Sequence, residues 1–322
     1  MNEVYEIFKE NGYLLEERLA KDTYGELYFA TYISHNAKVL LRRFPSSVSH
    51  VEKACRLAFA QVQCQARLRH PSILQVLDWG KVEGEAYFAC ERPNGVQILN
   101  LLRDNIKYNE YGSALFPEKA LFSLLESLEL ARRWGILHLT LSPSNIWVED
   151  GFKVQISEFG LWYLSREFCD FLPAWSPFLA PEQKQGVANA STDVYSAALA
   201  YIAMKFGIHV MESYLQGQPL PELPDSIRGP LAKALDERPM ARYPTAGEFS
   251  CALGVQIPYG EVKYIHCPLC ELQAKILEER RSPKGLFMRY FINIKASGLI
   301  PWLIILSLLA AALAVWWAAF RV

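Results

Sequence analysis

The sequence predicts an α+β fold with a β-rich first lobe and a mostly helical second lobe, followed by one C-terminal transmembrane helix. Residues 13–30 alternate apolar and polar side chains in two short runs broken at 21–25, which predicts a β-hairpin. Residues 51–68 contain neither Pro nor Gly and predict a helix, which ends before Pro71. Residues 299–320 form one uncharged apolar run.

The remaining elements complete the two lobes. Further strands are predicted over residues 38–44, 73–77 and 86–90. From residue 121 to 134 the apolar spacing becomes helical, and helices dominate from there to residue 255. The first lobe is therefore expected to be a sheet with one helix, and the second lobe to be mostly helical.

The bulk composition excludes one class of partner. The chain has 322 residues, 51% of them hydrophobic and 21% charged, and its formal net charge is −1. Since a near-neutral chain has little attraction to nucleic acid, we expect no nucleic-acid partner. The seven cysteines show no disulfide spacing, which favours reduced thiols in a cytosolic compartment.

The run at 299–320 is long enough to cross a bilayer, because about 20 apolar residues span the hydrocarbon core. Trp302 lies near one end and Trp316 and Trp317 near the other, where indole rings favour the membrane interface. A buried core helix is the alternative, but such helices rarely run this long without polar side chains. Basic residues precede the run and only Arg321 follows it. The positive-inside rule therefore predicts a single-pass, tail-anchored protein with its bulk in the cytoplasm.

Several short motifs follow one another along the two lobes. They are RHPSIL at 69–74, HLTLSPSN at 138–145, SEFG at 157–160, APE at 180–182, TDVYS at 192–196 and RPMARYPTA at 238–246. In this order they resemble the motifs of a Hanks-type serine/threonine protein kinase, especially the bacterial membrane-anchored type. The resemblance implies a two-lobed protein-kinase-like fold. Its expected parts are an N-terminal extension (1–12), an N-lobe (13–93), a C-lobe (94–256), a basic juxtamembrane linker (257–298) and the transmembrane helix (299–320).

The positions that carry phosphoryl transfer in this family are replaced. By motif alignment Thr140 stands at the catalytic aspartate, and a hydroxyl cannot act as a base near neutral pH. Ser142 replaces the lysine that contacts the transferred phosphate, and Leu139 replaces the arginine that docks a phosphorylated activation segment. Gln61 replaces the helix glutamate that pairs with the lysine of strand three. The chain is thus identified as a degenerate member of the family, a pseudokinase.

The nucleotide-binding positions are only partly kept. Arg42 aligns with the lysine of strand three. It keeps the positive charge of that lysine, but its planar guanidinium has a different geometry from an ammonium group. An alternative is that Arg42 extends over the surface of the lobe. Of the glycine-rich loop only Gly25 remains, and Asp22 brings a negative charge close to where the triphosphate would lie.

The hinge and the metal positions also depart in part from the family. Glu91 follows the gatekeeper, and Pro93 takes the position that donates an N–H to adenine, which proline cannot do. Asn145 is unchanged, and Glu158 replaces the aspartate of the DFG motif with a longer carboxylate that can still bind Mg²⁺. A structural interpretation is equally available, with Asn145 bonded to the loop backbone and Glu158 facing solvent.

The architectural positions are kept. Glu182 and Arg242 match the buried ion pair that ties the activation segment to the last helices, and Asp193 matches the carboxylate that holds the catalytic-loop backbone. Removing one partner of a buried pair typically costs about 3–5 kcal/mol. The retention of these residues beside replaced catalytic ones favours a folded domain without the chemistry.

The linker contains a C-x-x-C pair, Cys267 and Cys270, which is half of a tetrahedral zinc site at best. Two chains that shared one site would supply four thiolates. Reduced cysteines in a turn are the simpler alternative.

The sequence therefore predicts a membrane-anchored pseudokinase that acts as a scaffold or allosteric signalling partner without phosphoryl transfer. Its partners would be the lipid bilayer and another membrane-associated protein, such as an active kinase, and no cofactor is expected. The alternative is an unorthodox, slow serine/threonine kinase that binds ATP and Mg²⁺ through Arg42, Asn145 and Glu158. A metal- or redox-responsive adaptor that acts through Cys267 and Cys270 is a third class.

Overall fold

The computed structural model describes residues 2–103, 116–149, 153–168, 170 and 176–257, and these form two lobes. The N-lobe is a five-stranded antiparallel sheet in the order β1-β2-β3-β5-β4. Its strands are β1 Tyr13–Asp22, β2 Gly25–Tyr32, β3 Ala37–Arg43, β4 Val76–Val82 and β5 Glu85–Glu91. The predicted hairpin and third strand are confirmed.

Both faces of the N-lobe sheet are covered by helices. Each face has its own apolar side chains, because successive side chains of a strand point to opposite faces. One face packs against α3 (Glu52–Ala66), which follows the short helix α2 (Ser46–Ser49). We call the apolar cluster on this side the N-lobe core cluster. Its buried members include Leu27, Leu40, Ala58, Val62, Phe88 and Cys90. The helix predicted over residues 51–68 is thus confirmed as α3.

The other face of the sheet is covered by a helix that the sequence did not reveal. Helix α1 (Asn2–Glu10) packs on β1, and its Phe8 is fully buried with its ring 5.5 Å from that of Tyr87. The segment assigned as an extension, residues 1–12, therefore contains an element that is packed against the N-lobe. A helix of 9 residues is too short to show a secure apolar period.

The prediction of a strand over 73–77 is wrong. The strand in this region is β4, which starts later, whereas Ile73 makes only an isolated parallel bridge to Ile156. The strand continues through Asp78, whose buried carboxylate accepts from two tyrosine hydroxyls. A buried polar side chain with such partners is compatible with a central strand.

The C-lobe is built around a long helix whose residues 191–204 are all buried. Its helices are α4 Ile98–Arg103, α5 Phe116–Arg133, α6 Trp162–Glu167, α7 Ala190–Phe206, α8 Ile208–Leu215, α9 Asp225–Ala234 and α10 Ala246–Ala252. A small sheet lies beside them, with strands β6 Val96–Gln97, β7 Ile146–Val148 and β8 Val154–Ile156. Helix α7 packs against α5, α8 and α10, so it forms the centre of the lobe.

The described part of the chain contains no helix that is long and apolar enough to cross a bilayer. The predicted span at 299–320 lies outside the described residues. So do the linker beyond residue 257 and its two cysteines, Cys267 and Cys270.

Candidate functional site

The replaced catalytic positions and the nucleotide positions meet between the lobes. The N-lobe contributes the β1–β2 turn and β3, and the C-lobe contributes the loop 138–145 and the segment 157–160. A cavity of about 400 Å³ opens here. Its lining includes Asp22, Tyr24, Thr140, Ser142, Asn145 and Glu158, and no residue of the hinge at 90–93 is among the described residues that line it.

The catalytic loop is held by its own hydrogen bonds. The Thr140 hydroxyl donates to the Glu158 carbonyl at 2.9 Å, and Ser142 Oγ lies 2.7 Å from Ser144 Oγ. Asn145 Oδ1 accepts from the Ser142 N–H at 3.0 Å, and Asn145 Nδ2 donates to the Thr140 carbonyl at 2.8 Å. Both ends of the Asn145 amide are thus engaged within the loop, as the structural interpretation of this residue expects.

The buried Arg42 lies between two carboxylates, those of the buried Glu158 and of the exposed Asp22. Its guanidinium lies 2.6 Å from Glu158 Oε1 and 2.8 Å from Asp22 Oδ1. The Arg42 side chain is 2% exposed and that of Glu158 is 7% exposed. We call Asp22, Arg42 and Glu158 the cleft triad. The alternatives in which Arg42 extends over the lobe surface and Glu158 faces solvent are therefore wrong.

The charges of the cleft triad determine what the cleft can accept. Burial acts to lower the pKa of Arg42, but the carboxylates of Glu158 and Asp22 outweigh it, so that the pKa is raised. Burial raises the pKa of Glu158, against the lowering effect of Arg42. The cation that would meet phosphate groups is already bound by two carboxylates of the same chain.

The β1–β2 turn contacts the C-lobe. Gly25 has a φ of 112°, and a Cβ at this position would clash with the Arg43 carbonyl, so the turn itself requires glycine. Asp22 Oδ1 accepts from the Tyr24 N–H at 2.8 Å. Ser165 of α6 donates from its hydroxyl to the Tyr24 hydroxyl oxygen at 2.9 Å. Burial raises the pKa of Tyr24 to about 12, so the phenol stays neutral.

Helix α3 offers no charged partner to Arg42. The Gln61 side chain packs directly against Gly160. A Cβ added at Gly160 would clash with Gln61 Oε1, so this contact needs a glycine. The buried Gln65 accepts at Oε1 from both N–H groups of 158–159, at 3.1 and 3.2 Å. Gln65 matches none of the motifs in the sequence, and its spacing of four residues from Gln61, which puts the two on one helix face, is the signal that could have identified it.

Aromatic side chains of β2 and β7 pack against each other beside the hinge. Trp147 of β7 is 3% exposed, and its ring centroid lies 6.0 Å from that of Phe29 in β2. The guanidinium of Arg92 lies 3.8 Å from the Phe29 ring centroid, within range of a cation–π contact. We call Phe29, Arg92 and Trp147 the hinge stack. The sequence analysis did not single out any of its members.

The hinge residue Glu91 is bound to a neighbouring strand. Its Oε1 accepts from the Gln75 N–H at 2.9 Å, and its own N–H donates to the Gln75 carbonyl at 2.9 Å. Burial raises the pKa of the Glu91 carboxyl, against the hydrogen bond from Gln75. Pro93 follows two residues later and has no N–H to give to a base.

The architectural residues form a dense network within the C-lobe. Arg242 donates to both carboxylate oxygens of Glu182, at 2.7 and 2.8 Å, and the Thr192 hydroxyl donates to the same carboxylate at 2.8 Å. The remaining guanidinium donors bind the carbonyls of 236–237. Burial acts to raise the pKa of Glu182, but the hydrogen bonds from Arg242 outweigh it, so that the pKa is lowered. The structure thus brings the predicted pair together.

Asp193 holds the backbone at the start of the catalytic loop. Its two oxygens accept from the N–H groups of His138 and Leu139, at 2.8 and 2.7 Å. Leu139 has a φ of 61°, a left-handed conformation that costs a non-glycine residue about 1–3 kcal/mol. Its side chain is fully buried, in place of the arginine that the resemblance expects. Asp193 therefore holds the strained backbone at the start of this loop.

Comparison with known proteins shows the family. A family profile for the protein kinase domain matches residues 13–220. The chain therefore belongs to the protein kinase domain family, and its fold is the two-lobed kinase fold with a β-sheet N-lobe and a helical C-lobe.

The relatives are distant and longer than this chain. The tyrosine-protein kinase MasK of Myxococcus xanthus is 22% identical over 272 residues, which cover 75% of this chain and 42% of MasK. A probable serine/threonine-protein kinase of Clostridium acetobutylicum is 24% identical over 267 residues, which cover 74% of this chain and 39% of that protein. The chain spans about two fifths of the length of these relatives.

Solved structures share the fold. A structure of the PknI kinase domain of Mycobacterium tuberculosis aligns with a TM-score of 0.58 and 23% identity, covering 76% of this chain and 94% of that domain. The apo form of PpkA-294 aligns with a TM-score of 0.60 and 19% identity, covering 76% of this chain and 96% of that one. At these identities the likeness shows the fold alone.

Protein kinases use ATP with Mg²⁺, but the described cleft does not fit this pair in its present arrangement. The cleft triad carries two carboxylates against one cation, and both ends of the Asn145 amide are engaged in the loop. Trp147 of the hinge stack is buried in the N-lobe core cluster. Within the described ranges, no group of three or more His, Cys, Asp or Glu side chains is arranged to hold a metal ion.

Proposed function

We propose that this protein is a pseudokinase, a kinase fold that acts by binding, as a scaffold or an allosteric signalling partner. The observation that carries this proposal is the cleft triad. Arg42 is the one cation of the triad, and two carboxylates of the chain bind it. The triad thus has a formal charge of −1 where a triphosphate would need positive charge.

The energetics of the triad oppose nucleotide binding. A phosphate that took Arg42 would leave Glu158 as a buried carboxylate without its partner, and a buried unpaired charge is strongly unfavourable. Asp22 would then lie close to the phosphates, and like charges repel. The positive charge of Arg42 is therefore compatible with a role in holding the cleft triad together.

The catalytic loop supports the same proposal. Thr140 has no carboxylate to accept the proton of an attacking hydroxyl, and its own hydroxyl is committed to the Glu158 carbonyl. Ser142 provides no cation for the transferred phosphate. The architectural residues Glu182, Asp193 and Arg242 nevertheless remain paired, so the fold keeps its surface for partners.

Membrane attachment is the second part of the proposal. The apolar run at 299–320 would anchor the domain to the cytoplasmic face of a bilayer, and the basic residues of the linker would lie against anionic headgroups. A partner at that surface would then be another membrane-associated protein, such as an active kinase. Alkaline extraction of membranes tests the anchor: the full chain should stay in the pellet, and its release into the supernatant would contradict it.

A phosphoryl-transfer assay tests the central part of the proposal. The full chain in lipid discs is incubated with γ-labelled ATP and Mg²⁺ or Mn²⁺, with a general protein acceptor, and Thr140→Ala serves as the matched control. Label should be equally absent from wild type and variant. Transfer by the wild type that Arg42→Met abolishes would support the competing slow kinase, which uses Arg42, Asn145 and Glu158 for MgATP.

A further inference from the structure

Trp147 connects the two lobes of the domain. It belongs to β7 in the small C-lobe sheet, where it pairs with Gln97 of β6. Its indole nevertheless belongs to the N-lobe core cluster, together with side chains of β2, β3 and β5. Trp147 thus extends the N-lobe core across the cleft from the small C-lobe sheet, whereas the other C-lobe members of the cluster, Leu161 and Leu164, come from the region of α6.

The indole lies beside the hinge. An added Cβ at Gly95 would clash with the Val148 carbonyl, so the chain leaving the hinge runs directly against the backbone next to Trp147. Phe29 lies on the sheet side of the indole, and Arg92 of the hinge packs over the Phe29 ring. The hinge stack therefore occupies the space between the hinge and the N-lobe sheet.

The packing of the indole is apolar. Its Nε1 is buried and has no hydrogen-bond partner among the described residues. A buried donor without a partner is unfavourable, so polar contacts do not hold the ring there. The ring is held instead by the apolar surfaces of the N-lobe core cluster and of Phe29. These surfaces would hold any flat aromatic ring of similar size.

We propose that Trp147 fills the purine pocket of this cleft, so that the chain supplies its own aromatic ring where a nucleotide would place adenine. This inference rests on the proposed non-catalytic function and names the ligand class that the site excludes, the adenine nucleosides. The hinge stack excludes the base by occupancy, and the cleft triad excludes the phosphates by charge. The hinge stack and the cleft triad thus act on different parts of the nucleotide, the base and the phosphates, and their effects can be separated by experiment.

Adenosine is the probe that separates them, because it has a base and no phosphates. The full chain in lipid discs is titrated with adenosine by calorimetry and by thermal shift, as wild type and as Trp147→Leu. The variant keeps an apolar side chain but opens space for a ring. We expect at least tenfold tighter binding of adenosine to Trp147→Leu than to wild type, and ATP should gain less because the cleft triad is intact.

Trp162→Leu is the matched control. Trp162 is also buried and its Nε1 is also without a partner, but it lies on α6, outside the N-lobe core cluster. This variant loses the same side chain without opening the hinge side, so its adenosine affinity should equal that of wild type. Equal gains in Trp147→Leu and Trp162→Leu would mean that general loosening admits the ligand, and would overturn the proposal.

Two further measurements keep the proposal testable if Trp147→Leu does not fold. Phe29→Leu removes the second aromatic ring of the hinge stack and should also admit adenosine, more weakly. Wild type itself should show no saturable adenosine binding at millimolar concentration. Wild-type binding would contradict the filled pocket and leave the pseudokinase proposal intact, whereas phosphoryl transfer by wild type would contradict the pseudokinase proposal itself.

Discussion

Among the residues that the structure describes, two buried arginines bind carboxylates, and they differ in what their ion pairs connect. Arg242 lies within the C-lobe, where Glu182, Thr192 and main-chain carbonyls form a single network with it. Arg42 lies in the cleft, where its partners come from the β1–β2 turn and from the segment after the catalytic loop. The first ion pair lies within one lobe, and the second joins the N-lobe to the C-lobe.

On the proposed function, the cleft keeps an ordered arrangement without the kinase role. Arg42, Glu158 and Asp22 are three of the departures from the family motifs that the sequence analysis identified at the nucleotide positions. In the structure their side chains pair with one another, Arg42 and Glu158 buried and Asp22 at the exposed edge. The structural ion pair of the C-lobe differs, because its residues match the family at both positions.

The largest expected effect is the loss of the structural pair. Arg242→Ala leaves the Glu182 carboxylate buried without its cation, so the free energy of unfolding should fall by about 3–5 kcal/mol. Urea unfolding of the full chain in detergent, followed by circular dichroism, measures it. Arg238→Ala is the control, because this neighbouring arginine is 80% exposed and pairs only with Asp236. Equal effects of the two substitutions would contradict a structural role for the buried pair.

Loss of the cleft cation should cost less. Arg42→Met leaves Glu158 buried, but this carboxyl can take up a proton because burial already raises its pKa. We expect a loss of about 1.5–3 kcal/mol at pH 7, and a smaller loss at lower pH where Glu158 is neutral. Urea unfolding at several pH values measures it.

Glu158→Gln sharpens the same test. In the Arg42→Met background it replaces the unpaired carboxylate by a neutral group of equal size, so part of the lost stability should return at pH 7. A double variant no more stable than Arg42→Met alone would show that charge pairing does not hold the cleft triad together.

Asp193 links the scaffold to the cleft, and its carboxyl should give a pH signature. Burial raises its pKa from 3.8 to about 6, against the two N–H donors. Its contribution to stability is therefore complete below the ordinary pKa and is lost as the pH rises through the folded pKa, by at most about 1.4 kcal/mol per pH unit. Asp193→Asn lacks this titration, and its amide satisfies only one of the two N–H groups.

The difference in unfolding free energy between wild type and Asp193→Asn should thus be larger at pH 4 than at pH 7. At the higher pH it should approach the cost of one unsatisfied buried donor, about 1–3 kcal/mol. Parallel pH profiles for the two proteins would exclude the raised pKa of Asp193.

The smallest effect is expected where the β1–β2 turn meets α6. Tyr24→Phe removes the acceptor of the Ser165 hydroxyl and should cost about 1 kcal/mol. Ser165→Ala removes the other partner. In a double-mutant cycle the two substitutions should be less than additive, and strict additivity would mean that this contact does not couple the lobes.

The sequence predicted the two lobes and the positions of the motifs, because alternation in β1 and β2, the uninterrupted α3 and the ordered motifs are all local patterns. Arg42 and Glu158 were each identified, but their contact was not, since it joins residues 116 positions apart. Trp147 gave no local signal, because an aromatic residue in a short strand is ordinary. Only the fold shows that its ring lies in the core of the other lobe.

A thermal-shift titration of the full chain with ATP, with and without Mg²⁺ or Mn²⁺, tests the closed cleft most directly. A ligand that binds only the folded state adds about 2.7 kcal/mol to stability at 100 times its Kd. The cleft triad and the hinge stack predict no shift at millimolar ATP with either metal. A metal-dependent rise in melting temperature, lost in Glu158→Gln, would show that Glu158 binds metal and nucleotide. It would contradict the account in which the cleft triad and the hinge stack exclude nucleotide, and it would favour the competing slow kinase.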